Sequence, residues 1–237
     1  MIVAIHQPNF FPWLGFFDKI NKANIFVYLN HVENNPRTAI YTKRTKIIVN
    51  GQEHWLTCNL KSEPGKVFLP IDNMKIDNPA RLRDKHIKTF ELSYKKAPYF
   101  EETFGIIQEF YNHPSDLISD RNIFTIDLIC KKLSIDVQKV KSSDLNIQTA
   151  SNQLLIDTVS KIGGSIYMPG GGAAGYQEDQ MFKDNKIGLH FQDFKHPVYS
   201  QFNTAKFIPG LSILDCLMNI GISETEILLK SGQEGQK

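Results

Sequence analysis

Ile2-Val3-Ala4-Ile5-His6-Gln7-Pro8-Asn9-Phe10-Phe11-Pro12-Trp13-Leu14-Gly15-Phe16-Phe17-Asp18-Lys19-Ile20 opens the chain with the pattern of a strand, a polar turn and an amphipathic helix. Its four leading apolar residues read as a buried strand, and His6, Gln7 and Asn9 follow where that strand ends. Pro8 disfavours helical geometry at Gln7, so the polar residues stay extended or turned. Pro12 fits the first turn of a helix, where a missing N–H costs nothing. Trp13, Leu14, Phe16, Phe17, Ile20 and Ala23 then recur at helical spacing and form one broad apolar face. Gly15 inside this helix costs about 1 kcal/mol relative to Ala, so it marks a close approach by backbone, ligand or packing neighbour. After Asn24, Ile25 to Leu29 reads as a second strand ending in Asn30-His31. Strand, helix and strand in so short a span form a βαβ unit with parallel strands. The carboxyl edge of such a sheet is where ligands bind, and the helix N-terminus beside His6 is a place for an anion.

Working outward, Thr45–Val49 and His54–Cys58 flank Asn50-Gly51, a strong hairpin signal, and this antiparallel pair is expected to cap or extend the sheet. The middle of the chain reads as helices over Pro79–Tyr94, Phe100–Tyr111 and Leu117–Leu133, an added helical layer at about 79–133. A strand near Val137–Lys141 follows, then a helix over Gln153–Ile162 stopped by Gly163-Gly164. Ser165–Met168 is read as a strand, Gln177–Asp184 as a helix and Gly188–Phe194 as a strand. A last helix, Ser212–Ile220, is expected to end at Gly221. Alternating β and α units on either side of a helical middle predict one α/β domain over 1–237, with a mostly parallel sheet and helices on both faces.

Composition narrows the function classes. An apolar fraction of 41% is enough for a core. A net charge of +2 argues against a nucleic-acid protein held by a basic field. No segment is long enough to cross a membrane, and the opening residues lack the pattern of a signal peptide, so a cytoplasmic protein is expected. Cys58, Cys130 and Cys216 are odd in number and far apart, which predicts three reduced core thiols, no structural disulfide and no metal site.

Four polar clusters each fall just past a predicted strand: His6-Gln7-Asn9, Asn30-His31, Ser142-Ser143-Asp144, and Gln192-Asp193 through His196 and Tyr199. Parallel strands would bring them to one rim. His6 is the first candidate for a general acid or base, because imidazole titrates near neutrality, and His196 is the second. Gln7, Asn9, His31, Ser143, Tyr199 and Gln201 offer neutral or titratable partners for a substrate. Arg37, Lys43, Arg44 and Lys46 form a basic cluster suited to a diphosphate, and Lys19 and Lys195 could add to it. A solvated charged loop is the plain alternative. Gly170-Gly171-Gly172-Ala173-Ala174-Gly175 formally satisfies a dinucleotide fingerprint, with Asp193 about twenty residues on. Met168-Pro169 stiffens its entry and the helix after it is short, so a loop letting Gly171 and Gly172 approach a ligand is the better reading, with a plain flexible turn as the close alternative. The chain carries no phosphate loop of the Walker type, no hexapeptide repeat and no G-x-S-x-G.

The opening block resembles the WbqC-like family, whose members begin with a strand followed by His-Gln-Pro-Asn-aromatic-x-Pro-Trp-x-Gly-aromatic-Phe-x-Lys-Ile. Further blocks match at Ala97-Pro98-Tyr99-Phe100, Ser142-Ser143-Asp144-Leu145, Ile166-Tyr167, His196-Pro197-x-Tyr199-x-Gln201 and Phe207-x-Pro209-x-Leu211-Ser212-x-Leu214-Asp215. The chain departs from the family pattern at Tyr41–Lys46 and at Met168-Pro169-Gly170. The resemblance implies a place in lipopolysaccharide O-antigen or related surface-glycan synthesis, acting on the amino group of a nucleotide-linked deoxysugar. The expectation is therefore an acyl or aminoacyl transferase in which His6 deprotonates the sugar amine. The activated acyl donor would be a CoA thioester, or an acyl adenylate made from ATP. That second donor rests on fold-level analogy with adenylate-forming α/β domains. The competing expectation is a non-catalytic nucleotide-sugar binding or assembly protein of the same pathway.

Overall fold

The computed structural model describes residues 1–33, 40–62, 65, 68–170 and 179–231. In chain order its main elements are β1 (Ile2–His6), α1 (Leu14–Asn21), β2 (Ile25–Tyr28), β3 (Arg44–Val49), β4 (Gln52–Thr57), α2 (Pro79–Tyr94), α3 (Phe100–Asn112) and α4 (Ile118–Lys132). There follow β5 (Gln138–Lys141), α5 (Ser151–Lys161), β6 (Ile166–Met168), α6 (Asp179–Asp184), β7 (Gly188–Leu189) and α7 (Ile213–Ser231). Five strands make one sheet in the order β5-β2-β1-β6-β7, and every pairing is parallel. Val3 lies opposite Ile25, and Ile2 opposite Ile166. This is the expected α/β architecture. Its consequence is that His6, the residues after Tyr28 and Lys141, and Pro169-Gly170 all lie along one carboxyl rim.

The central strands are apolar on both faces because both are covered. Ala4, Phe26 and Tyr28 point into a large core shared with α1, α2, α3, α4 and α7. Val3, Ile5, Ile25 and Val27 point into a smaller one with Ile156 and Val159 of α5 and Phe182 of α6. Phe17 and Phe26 are fully buried, and each contributes roughly 1.5–3 kcal/mol on that account. Asn78 caps α2 by accepting from the Arg81 N–H at 3.2 Å, with Pro79 in the first turn.

Three local expectations are corrected and a fourth is met with an addition. Pro12 lies outside α1, which starts at Leu14 with Trp13 as its N-cap residue; the Pro12 carbonyl instead accepts from the Ile213 N–H at 2.8 Å. The hairpin forms with Asn50 and Gly51 both at positive φ, but β3 and β4 make a separate two-stranded sheet. β1 and β2 already have neighbours on both edges, so Ile47, Ile48 and Leu56 bury against the helical side instead. β7 stops at Leu189 because β6, its partner, turns away at Pro169 after three residues. The helix from Ile213 does break at Gly221 (φ 80°, ψ 174°), as expected, and a second helical segment continues beyond it to Ser231. A Cβ at Gly221 would sit 2.8 Å from the Tyr99 ring, so glycine lets that ring pack into the break.

Candidate active site at the carboxyl rim

The rim carries a cavity of about 520 Å³ lined by His6, Asn9, Phe10, Pro12, Trp13, Tyr41, Thr45, Lys46, Gly170 and Gly210. The turn that builds its floor is strained. Phe11 has φ +40°, a left-handed conformation that costs a bulky residue on the order of 1–3 kcal/mol. Its surroundings over-determine it. The Phe10 N–H donates to the Tyr41 carbonyl (2.9 Å) and the Thr45 hydroxyl to the Phe11 carbonyl (2.9 Å). The Asn122 amide donates to the carbonyls of Pro8 (2.9 Å) and Thr42 (2.8 Å). Phe10 and Phe11 also pack on Phe110, at ring centroid distances of 5.2 and 4.9 Å. The turn is thus fixed from below while Asn9 and Trp13 face the cavity.

Gly15 has a packing reason. A Cβ there would lie 2.5 to 2.8 Å from the Trp13 ring, so the indole lies directly over this glycine. Gln192 closes the same corner, donating to the Gly15 carbonyl (2.8 Å) and to Asp18 Oδ2 (2.7 Å). Asp18 in turn pairs with Lys22 at 3.0 Å.

Beneath the cavity sits a buried amine. Lys19 is 1% exposed, and its Nζ donates to the Ile5 carbonyl at 2.8 Å. Among the described residues no carboxylate pairs with it. Burial lowers its pKa to about 7. His6 stands beside it, its Nδ1–H donating to the Gln7 carbonyl at 3.0 Å, which leaves Nε2 as the acceptor. Burial first, and the Lys19 charge second, lower the His6 pKa to about 4, so this imidazole is neutral at neutral pH. Gly170 joins them: a Cβ there would lie 3.9 Å from Lys19 Nζ and 4.0 Å from His6 Nε2. Both nitrogens therefore lie close to Gly170; His6 and Gly170 line the cavity, and Lys19 lies buried behind them.

The other predicted site residues divide. Asn9 lines the cavity, and among the described residues its amide makes no hydrogen bond. Gln7 contributes its carbonyl to His6. Asn30, His31, Ser142 and Ser143 form a separate knot on the rim. Ser142 Oγ accepts from His31 Nδ1 (2.6 Å) and donates to Asn30 Oδ1 (3.1 Å), while Asn30 Nδ2 donates to Ser143 Oγ (3.0 Å). None of these four lines the cavity.

His196 stacks behind Trp13 at 6.2 Å and donates from Nδ1 to the Pro197 carbonyl, so it supports the wall and does not face His6 across the cavity. Tyr199 and Gln201 were expected to meet substrate. They instead donate to the buried carboxylate of Asp215, at 2.8 and 3.0 Å, beside Tyr94 at 3.0 Å.

In the basic cluster, Arg44 lies over the Trp55 ring at 4.2 Å and is not on the cavity wall. Lys46 is, although Glu53 holds it at 2.9 Å. Arg37, Gly171 and Gly172 lie outside the described residues. His86 is buried, accepting from the Tyr111 hydroxyl and donating to the Thr57 carbonyl. The three cysteines are buried thiols, each pushed up to about 12 by burial.

Sequence reading missed Tyr41 and Thr45 as walls and Asp215 as an anchor. For Trp13 the Trp13/Gly15 spacing is a signal, since a helical glycine leaves space for an indole to lie over it. Among the described residues no group of three His, Cys, Asp or Glu is placed to hold a metal, and no helix is long and apolar enough to cross a membrane.

Among known proteins, the chain is 24% identical over 230 residues to the uncharacterized protein Rv1507c of Mycobacterium tuberculosis, covering 95% of this chain and 96% of that one. No solved structure matches. The WbqC-like protein family matches from residue 7 to residue 227, from the polar turn after β1 to the last helix, and to that family the chain belongs.

Proposed function

We propose that the rim cavity binds a nucleotide-linked amino deoxysugar and transfers an acyl or aminoacyl group to its amine, within surface-glycan synthesis. The observation that carries this reading is the pairing of a neutral imidazole on the cavity wall with a buried amine just behind it, beside the aromatic side chains of Phe10, Trp13 and Tyr41. An amine nucleophile must lose a proton as it attacks, and two nitrogen bases close to Gly170 suit that need. Trp13 and Tyr41 offer flat faces to a sugar or base, and Asn9 and Thr45 offer donors and acceptors for hydroxyls. Lys46 is the cation on the wall nearest to serving a phosphate. His6, with Nε2 as acceptor, receives a hydrogen bond from the sugar amine and orients its lone pair toward the acyl carbon. The donor is an activated acyl group, a CoA thioester or an acyl adenylate.

The test is direct. Purified protein is incubated with nucleotide-linked amino sugars and with each donor class, and the sugar is followed by mass spectrometry. The expected result is a mass gain of one acyl group on the sugar nitrogen. Tight sugar binding with no mass gain for any donor would replace the transferase with a binding protein of the same pathway.

A further inference from the structure

We infer that Lys19 is the general base of the proposed acyl transfer, taking the proton from the sugar nitrogen that His6 orients. The inference rests on the transferase reading for its substrate and on the geometry of Lys19 for its chemistry.

An ammonium has three donors. The described surroundings of Lys19 Nζ offer one acceptor, the Ile5 carbonyl, and no carboxylate. A neutral amine fits that environment better: one N–H goes to Ile5, and Nζ lies close to Gly170 and His6, the residues through which it borders the cavity. The charged groups on the elements around it are occupied elsewhere. Asp18 and Lys22 of its own helix pair with each other, and Asp215 on α7 is held by two tyrosines and Gln201. Lys46, on the cavity wall, is held by Glu53. His6 is the titratable neighbour that feels the Lys19 charge. An imidazole held at about 4 is a weak acceptor of a full proton, whereas an amine held at about 7 is half free at neutral pH and matches what a base needs.

The step balances. As the sugar nitrogen forms its bond to the acyl carbon, its proton passes to Lys19 Nζ. The bond from the acyl carbon to the donor's leaving group, a thiolate or a nucleoside monophosphate, then breaks, and the electron pair departs with that group. Lys19 returns its proton to the leaving group or to water.

Two measurements test this, one without any substrate. In protein labelled with ¹³C at lysine Cε, the resonance missing from Lys19→Met reports Lys19 in the wild type. Titration near 7 is expected, and titration above about 9 would overturn the inference whatever the substrate proves to be. In the transfer assay, Lys19→Met and Lys19→Arg should each lose at least about 100-fold in turnover, with KM within about threefold. Lys19→Ala should recover part of that loss when small alkylamines are added. Wild-type turnover should rise with pH to a plateau above about 7. Arg keeps the charge but cannot act as a base, so near-normal turnover of Lys19→Arg would show an anion-binding lysine and end the proposal. Absence of turnover in the wild type with every sugar would sink the transferase reading, and the titration alone would then decide whether Lys19 is a poised base.

Discussion

Lys19 and Asp215 are both charged side chains with almost no exposure, on helices that pack against each other, yet their surroundings are opposite. Asp215 accepts from Tyr94, Tyr199 and Gln201, and its backbone carbonyl accepts from Asn219 at 2.7 Å. Lys19 has one carbonyl, with Gly170 of the cavity wall close by. A buried carboxylate that accepts three side-chain hydrogen bonds is a fastener, here joining α2, the 199–201 segment and the start of α7. In the proposed transfer, the amine left short of partners meets a group that arrives later. Burial alone therefore does not separate the two side chains; the hydrogen-bonding capacity left unmet does, and it is what makes Lys19 a candidate.

The sharpest way to break this comparison is to remove the fastener. Asp215→Ala leaves two tyrosine hydroxyls and an amide buried without their acceptor, at roughly 1–3 kcal/mol each. Relief of the carboxylate's own burial offsets part of that. We expect a net loss of about 3–5 kcal/mol in urea unfolding. Asp215→Asn, which keeps one acceptor oxygen, should lose less. A loss below about 1 kcal/mol in both variants would mean that the three donors find other partners.

Lys19 should behave in the opposite sense. Its folded pKa is depressed from 10.5 to about 7, so between these values the unfolded chain holds more protons than the folded one. Its contribution to stability is therefore full above 10.5 and is lost as pH falls through 7. Lys19→Met removes the buried ammonium and should be more stable than wild type at pH 6 by roughly 1–4 kcal/mol. The difference should shrink steadily as the pH is raised toward 10. Unfolding curves at three pH values suffice, and a pH-independent difference would mean that Lys19 titrates normally in the fold.

Much of this was legible in the sequence, and what was not has a common cause. The βαβ opening could be read because Pro8, the apolar strands and the 3.6-residue spacing after Pro12 all agree locally. The rim position of His6 could be read because it follows a buried strand in a parallel sheet. The burial of Lys19 could not, although it was a candidate to join the basic cluster. A lysine inside an amphipathic helix usually extends to water, and only the three-dimensional path of α1 across β1 turns it inward. Tyr199 and Gln201 misled for the mirror reason: polar residues after a strand suggest a rim, but the strand had stopped ten residues earlier, at Leu189. The hairpin's independence from the main sheet likewise depended on where β1 and β2 found their neighbours. Local chemistry set the elements, and the partners of the buried charges were decided at long range.

A smaller effect sharpens the cavity side of the contrast. Gly15→Ala should gain about 1 kcal/mol of helix propensity while forcing the Trp13 indole off its seat, because the new methyl would lie 2.5 Å from the ring. Trp13 is 37% exposed and has room to swing, so the melting temperature should change little. Ligand affinity should fall by about tenfold, or about 1.4 kcal/mol, as read by isothermal titration with the nucleotide sugar. Unchanged affinity would remove Trp13 from the binding wall.

The smallest expected effect separates two neighbouring cations. Arg44 and Lys46 both lie over the Trp55 ring, at 4.2 and 5.3 Å, but only Lys46 lines the cavity. If position relative to the cavity decides function, Lys46→Gln should weaken nucleotide-sugar binding by about 3–10-fold, within the range for one partly exposed contact to a charged group. Arg44→Gln should leave affinity within about twofold and instead lose roughly 0.5–2 kcal/mol of stability, the worth of a half-buried cation–π contact. Glu53 supplies the decisive control. It holds Lys46 at 2.9 Å, competing with any phosphate, so Glu53→Gln should free the ammonium and tighten binding, more so at low salt, where screening is weaker. Equal weakening by Lys46→Gln and Arg44→Gln, or no gain from Glu53→Gln, would mean that the phosphate is met elsewhere on the rim.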